Sequence, residues 1–251
     1  MLLEGKVAIV TGGARGIGRD VCRVLARQGA RVVVNYAQSE DRAKAVVAEI
    51  EGAGGVATAF RADVRDLGAY ESLVAHAREA HGRLDAVVNN AIAGRQHGAF
   101  AEATDADFGD AFDYGCRAVV NSVRAARPAF GAAGGGRIVN VVTEVWNLAP
   151  PQWSVYLAGK GAMVGLSRSL AAELGPEGIT VNMVAPGWMV TEKEDPTSEG
   201  ARGYAKTVPL GHQGSGEEIG KACAFFLSDL AAFVTGAYLP VTGGRVTQTG
   251  T

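Results

Sequence analysis

Short runs of β-branched and aliphatic residues recur along the chain, each separated from the next by a longer stretch with helical spacing. This alternation constrains the fold more than any other feature. The runs fall at 7–10, 31–36, 57–61, 86–89, 137–142, 180–185 and 238–241. Between the first two, Ile17, Val21, Val24 and Leu25 repeat at the helical period, and Gly29 supplies a C-terminal stop. Helical segments near 40–51, 67–81, 105–127, 156–174 and 217–228 fill most of the remaining gaps. Strands joined by crossover helices pair in parallel and are covered on both faces. The expectation is an α/β fold: one Rossmann-type domain over residues 1–251, with a doubly wound, seven-stranded parallel sheet.

Two stretches interrupt the alternation. Residues 131–136 are rich in Gly and Ala and lead directly into a strand, so they read as a loop. Residues 188–216 are polar, of mixed charge, and contain Pro196 and Pro209. A long connection of that kind is commonly functional, and this one follows the carboxyl end of the sixth strand, where open α/β sheets bind ligands. It is expected to form a substrate lid.

Composition narrows the function. With 24 Lys and Arg against 26 Asp and Glu, and no basic run, the chain carries no electrostatic footprint for nucleic acid. Its N-terminal residues are interrupted by Glu4 and Lys6, and no long apolar run occurs, so a soluble, unexported protein with no membrane partner is expected. Cys22, Cys116 and Cys223 are widely spaced and fit a reducing cytoplasm rather than a disulfide framework or zinc site. Histidines 76, 81, 97 and 212 form no metal-spaced cluster and read as surface or loop residues, so no metal is expected. Glycine is the outlier, at 35 of 251 residues, about twice the usual share of roughly 7%.

The first strand runs into Thr11-Gly12-Gly13-Ala14-Arg15-Gly16-Ile17-Gly18 and then directly into a helix. Glycines at 12, 16 and 18 permit a sharp turn, close approach of peptide N–H groups to a pyrophosphate, and tight packing of helix on sheet. A dinucleotide is the implied cofactor. At the end of the second strand a carboxylate would grip the adenosine ribose and repel a 2′-phosphate. That position is read as Asn35, which is neutral, and Arg15 offers a cation. The charge balance favours NADP(H), with NAD(H) left open.

Further on, Tyr156 and Lys160 stand four apart, on one face of a helix. An ammonium beside a phenol is expected to lower the phenol pKa from about 10, making Tyr156 a workable acid/base.

The Gly-x3-Gly-x-Gly loop, Asn89-Asn90-Ala91 after the fourth strand and Tyr156-x3-Lys160, in that order, resemble the short-chain dehydrogenase/reductase family over essentially the whole chain. The resemblance implies hydride transfer between a carbonyl carbon and nicotinamide, with Tyr156 as acid/base and Lys160 also holding the nicotinamide ribose. It implies further that Asn89 and Ala91 border the cofactor, that Asp63 and Val64 meet the adenine, and that Pro186, Gly187 and Thr191 meet the nicotinamide. Thirteen residues before Tyr156 the family usually has a serine that binds the substrate oxygen; here it is Thr143. Its hydroxyl makes the same bond with a stiffer side chain.

Three departures stand out. Gly115 occupies the place of a usual asparagine that helps hold a proton-relay water, and Asn121, six residues on, is rotated well off that face. Ile92 replaces a usual glycine. By pattern, including Val34-Asn35-Tyr36-Ala37, the chain is most similar to 3-oxoacyl-[acyl-carrier-protein] reductases, yet Glu177 stands where relatives that dock the acidic carrier protein use a base. Carrier docking is therefore doubtful. Trp146, Gln152, Trp153 and Trp188 flank the catalytic segments and are read as lining a cleft for a moderately apolar carbonyl or alcohol, with a subunit interface as the alternative for the tryptophans. Family habit implies a homotetramer. The leading expectation is an NADPH-dependent ketone reductase; an NAD-linked alcohol or sugar dehydrogenase, or a catalytically weakened nucleotide-binding scaffold, stay open.

Overall fold

The computed structural model describes residues 1–92, 94, 97–192 and 195–245. Seven parallel strands form one sheet in the order β3-β2-β1-β4-β5-β6-β7. They are β1 (Val7–Val10), β2 (Arg31–Tyr36), β3 (Val56–Arg61), β4 (Ala86–Asn89), β5 (Gly136–Val141), β6 (Ile179–Pro186) and β7 (Tyr238–Val241). Each lies within two residues of its sequence-based position. The β-branched runs form strands because period-two alternation sends successive side chains to opposite faces, and both faces are covered. Ala8 and Val10 join Leu25 and Ile219 in one core, while Val7 and Ile9 join Tyr70, Leu73 and Phe130 in the other.

The covering helices are α1 (Gly16–Arg27), α2 (Glu40–Gly52), α3 (Leu67–His81), α4 (Asp105–Phe112), α5 (Ala118–Ala133), α6 (Val145–Leu148), α7 (Ser154–Leu174), α8 (Glu199–Ala205) and α9 (Gly216–Leu227). Sequence caps set several starts. The Asp66 carboxylate accepts from the Ala69 N–H, and Ser215 with Glu218 closes a capping box on α9.

Three local expectations need correction. The segment 105–127 is not one continuous helix: α4 and α5 are joined by a π-helical turn, Asp113–Arg117, with Gly115 buried at its centre. Residues 131–133 are helical rather than loop, because the left-handed backbone needed to end α5 comes only at Gly134, φ 81°. His76 and His81 belong to α3 and meet the Thr58 hydroxyl on β3; His81 is buried, and desolvation lowers its pKa.

Sheet order reverses between β1 and β4, which places a crevice at the carboxyl ends of those strands. Thr11 ties the two strand ends together, its hydroxyl accepting from the N–H groups of Asn90 and Ala91 at 2.9 and 3.0 Å. Among the described residues, no helix is long and apolar enough to cross a membrane.

Candidate active site

A groove of about 440 Å³ opens at this crevice. Gly12, Arg15, Gly16, Ile17, Gly18, Asn35, Asp63, Val64, Ala91 and Thr191 line it. So do Tyr36, Ala37, Gln38, Ser39, Arg65, Asn90, Ile92 and Tyr114, none of which motif reading assigned to the cofactor. Their signal was weak because strand-end neighbours have no fixed spacing.

Glycine shapes one end for two reasons. Gly12 and Gly16 take positive φ, 63° and 54°, where a side chain is strained. Gly18 has no room for one, since a Cβ there would overlap the Gly12 carbonyl oxygen. The Gly16 N–H at the start of α1 donates to the Glu192 carboxylate at 2.9 and 3.1 Å. An anion already sits where a helix N-terminus attracts one.

Other residues of the nucleotide set serve the scaffold. Asn35 is 1% exposed; its carbonyl oxygen accepts from the Gly12 N–H at 3.4 Å and its amide donates to the Ala62 carbonyl at 3.0 Å. It braces the glycine loop against the end of β3. Asn89 is bound internally, donating to Asn140 and Ser122 at 2.8 and 2.9 Å, and does not line the groove. Asn121 donates to the Val64 carbonyl at 3.1 Å, so its amide holds the strand-end loop that carries Asp63. The Asp63 carboxylate is paired with Arg65 at 2.7 Å, which holds it below the usual carboxylate range. Arg65 also lies over the Tyr114 ring.

The residues read from sequence as catalytic lie just beyond β5 and on α7. A small recess lined by Ala91, Ile92, Tyr114, Gly115, Tyr156 and Lys160 shares its first three residues with the groove, so Tyr156 and Lys160 open onto the same crevice. Thr143 is buried just beyond β5, its hydroxyl beside that of Tyr156. Lys160 is 5% exposed and donates to the Val141 carbonyl at 2.6 Å, with its ammonium 5.9 Å from the Tyr156 ring centre.

The electrostatics differ from the sequence expectation. Burial raises the Tyr156 phenol above its ordinary value, offset in part by the hydrogen bond from Thr143. Burial also pushes the Lys160 ammonium down to about 8. Desolvation disfavours both charged forms and is the largest effect at each. Tyr156 is thus held as a phenol, the form that can give a proton.

Gly115 has a packing reason that the motif comparison did not show. A Cβ there would overlap the Gly159 carbonyl oxygen of α7, and one at Gly159 would overlap the Ala111 carbonyl oxygen. The π turn presses backbone to backbone on α7, directly beside Lys160. No side chain of any size fits.

The proposed substrate residues divide. Trp153 packs edge-on against Tyr156, with ring centres 5.4 Å apart, and Trp188 packs against Tyr204 at 5.5 Å. Gln152 has a positive φ of 71°, rare for a residue with a side chain. The Trp146 ring lies on Gly161 of α7. Pro186 accepts the Glu144 N–H at 3.0 Å, and the Gly187 N–H donates to Val241 at 3.1 Å. Both sit at the carboxyl end of β6, outside the groove walls.

A family model described as enoyl-(acyl carrier protein) reductase matches residues 12–245. The chain is 40% identical to an uncharacterised oxidoreductase of Methylorubrum extorquens, over 96% of this chain and 98% of that protein. It is 35% identical to the 3-oxoacyl-[acyl-carrier-protein] reductase FabG of Staphylococcus aureus, over 95% and 97%. A crystal structure of a short-chain dehydrogenase from Burkholderia cenocepacia in complex with NADP superposes with a TM-score of 0.88 at 35% identity, covering 98% of this chain and 99% of that one. Together with the parallel sheet and the strand-end crevice, these likenesses establish that the chain is an oxidoreductase of the short-chain dehydrogenase/reductase family.

Proposed function

We propose that the protein is an NADPH-dependent ketone reductase acting on a 3-oxoacyl thioester or a similar carbonyl. The observation that carries this reading is the juxtaposition of Tyr156 and Lys160 in a recess that shares three walls with the groove, with Thr143 beside the Tyr156 hydroxyl and Tyr156 held as a phenol.

The groove fits a dinucleotide. Gly12, Arg15, Gly16, Ile17 and Gly18 would hold the pyrophosphate, Asp63 and Val64 the adenine, Tyr156 and Lys160 the nicotinamide ribose, and Pro186, Gly187 and Thr191 the nicotinamide. The wall after β2 carries Ala37, Gln38 and Ser39 and no carboxylate, and Arg15 shares the groove. That wall accepts a 2′-phosphate without repulsion. The nicotinamide, when bound, supplies the hydride that reaches the carbonyl carbon.

Each protein group then has one task. The Thr143 hydroxyl binds the carbonyl oxygen and orients it. Tyr156 gives its proton to that oxygen as negative charge develops there, and the phenolate so formed is stabilised by Lys160. The product is a secondary alcohol. Trp153 and Trp188 make the cleft apolar, with residues 188–216 as its lid. Glu177 is paired with Arg127 at 2.6 Å, so that cation is already taken by a carboxylate at the turn where an acidic carrier would need a base. A free ketone or coenzyme A thioester is therefore favoured.

The test is a ketone and alcohol panel with both cofactors, run on wild type and Tyr156→Phe. NADPH should outperform NADH, and the variant should lose about 10²- to 10⁴-fold in turnover while still binding NADPH. Unchanged turnover in Tyr156→Phe would remove the assigned role.

A further inference from the structure

Directly after Thr143 comes Glu144, a carboxylate only 2% exposed. Burying a charge is costly unless it is paired and hydrogen-bonded. The Glu144 Oε1 accepts from the Tyr204 hydroxyl at 3.0 Å and pairs with the Arg245 guanidinium at 2.8 Å. Among the described residues its Oε2 has no hydrogen-bond partner. A buried oxygen left unsatisfied calls for an explanation beyond the residue's own stability.

The partners supply one. Tyr204 stands on α8, within 188–216, and its hydroxyl accepts the Trp188 N–H at 2.9 Å. Arg245, beyond β7, also lies over the Tyr204 ring, 4.9 Å from its centre. One carboxylate thus joins the strand end carrying Thr143, both ends of the segment that begins at Trp188 and includes α8, and the chain after β7. The Thr143 carbonyl is itself held by the Tyr238 hydroxyl at 2.8 Å.

We propose that Glu144 is a positioning residue that anchors α8 and Trp188 over the Thr143–Tyr156 centre, through Tyr204 and Arg245, and so sets the affinity for the carbonyl substrate. This inference rests on the ketone-reductase reading. The effect is read on the carbonyl substrate, because the Glu144 and Tyr204 side chains hold Trp188 beside Thr143 and belong to no set assigned to the nucleotide.

Tyr204→Phe keeps both ring contacts and removes the hydroxyl that links Glu144 to Trp188; Glu144→Gln removes the charge pair with Arg245. For each, the readouts are KM and kcat for the best ketone, NADPH affinity by fluorescence titration, and the rate of tryptic nicking after Arg202 and Lys206. Tyr204→Phe should raise KM and the nicking rate about tenfold, the weight of one to two hydrogen bonds, with NADPH affinity unchanged. Glu144→Gln should move the same two readouts in the same direction. Wild-type KM and nicking in Tyr204→Phe would overturn the proposal, as would a loss of NADPH affinity equal to the rise in KM. Should the wild type reduce no ketone, the reductase reading fails, and the nicking rates still decide whether the anchor exists.

Discussion

The nucleotide end of the crevice and its catalytic end both depend on glycine and on buried polar groups, but in opposite ways. At the nucleotide end the working groups are backbone N–H donors, and Gly12 and Gly16 are there for conformations that other residues adopt with strain. At the catalytic end the working groups are side chains taken out of water, and Gly115 and Gly159 are there so that two helical segments can touch. The first arrangement is local and costs little burial of charge. The second places Lys160 in the interior, where its charge is disfavoured. On the proposed reading, catalysis is thus built at the expense of stability, whereas nucleotide binding is built into the turn itself.

Four measurements break or sharpen that contrast. If burial of the Lys160 charge costs stability, Lys160→Met should abolish turnover yet stabilise the protein by about 3 kcal/mol at pH 7, given a fall of the ammonium from 10.5 to about 8. The folded-state value is the lower one, so the cost is complete below about pH 8 and is relieved as pH rises toward 10.5. Denaturant unfolding of both proteins at pH 7 and pH 10.5 should therefore show the advantage of the variant disappear. An equal difference at both pH values would contradict the buried charge.

Restoring the family's usual residue is the next test. Gly115→Asn should lower stability by about 2–3 kcal/mol without raising turnover, because the side chain must separate the π turn from α7. A gain in activity would show that glycine marks a lost relay group instead. At the other end, Gly18→Ala should weaken NADPH binding by roughly 2 kcal/mol, about 30-fold, by displacing the Gly12 peptide, and should leave Tyr156 and Lys160 in place. The smallest effect belongs to Glu192. Its carboxylate competes with a pyrophosphate for the Gly16 N–H, so Glu192→Gln should tighten NADPH binding about two- to fivefold. Weaker binding in that variant would make Glu192 a supporting contact.

Much of the fold was legible because its signals are periodic and local. Strand positions at 7–10 and 31–36, helix 67–81 and the glycine turn each follow from neighbours in sequence. The π turn was not, since α4 and α5 share one amphipathic pattern and only contact with Gly159 explains the extra residue in the turn. For the candidate site, Thr143, Tyr156 and Lys160 were readable from spacing, but the direction in which burial moves Tyr156 was not. A pKa depends on how much water is excluded, and spacing carries no such information.

Sequence by itself determined the alternation that makes a parallel sheet, the glycine turn after the first strand, and the three hydroxyl and amine groups of the proposed catalytic set. Only the tertiary structure decided what Gly115 is for, that the Asn35 and Asn121 amides brace loops, and that Glu144 joins four segments distant in the chain. The reason is common to all of them. Each depends on a contact between residues far apart in sequence, where close packing and exclusion of water set the energy and no periodic pattern records the partner.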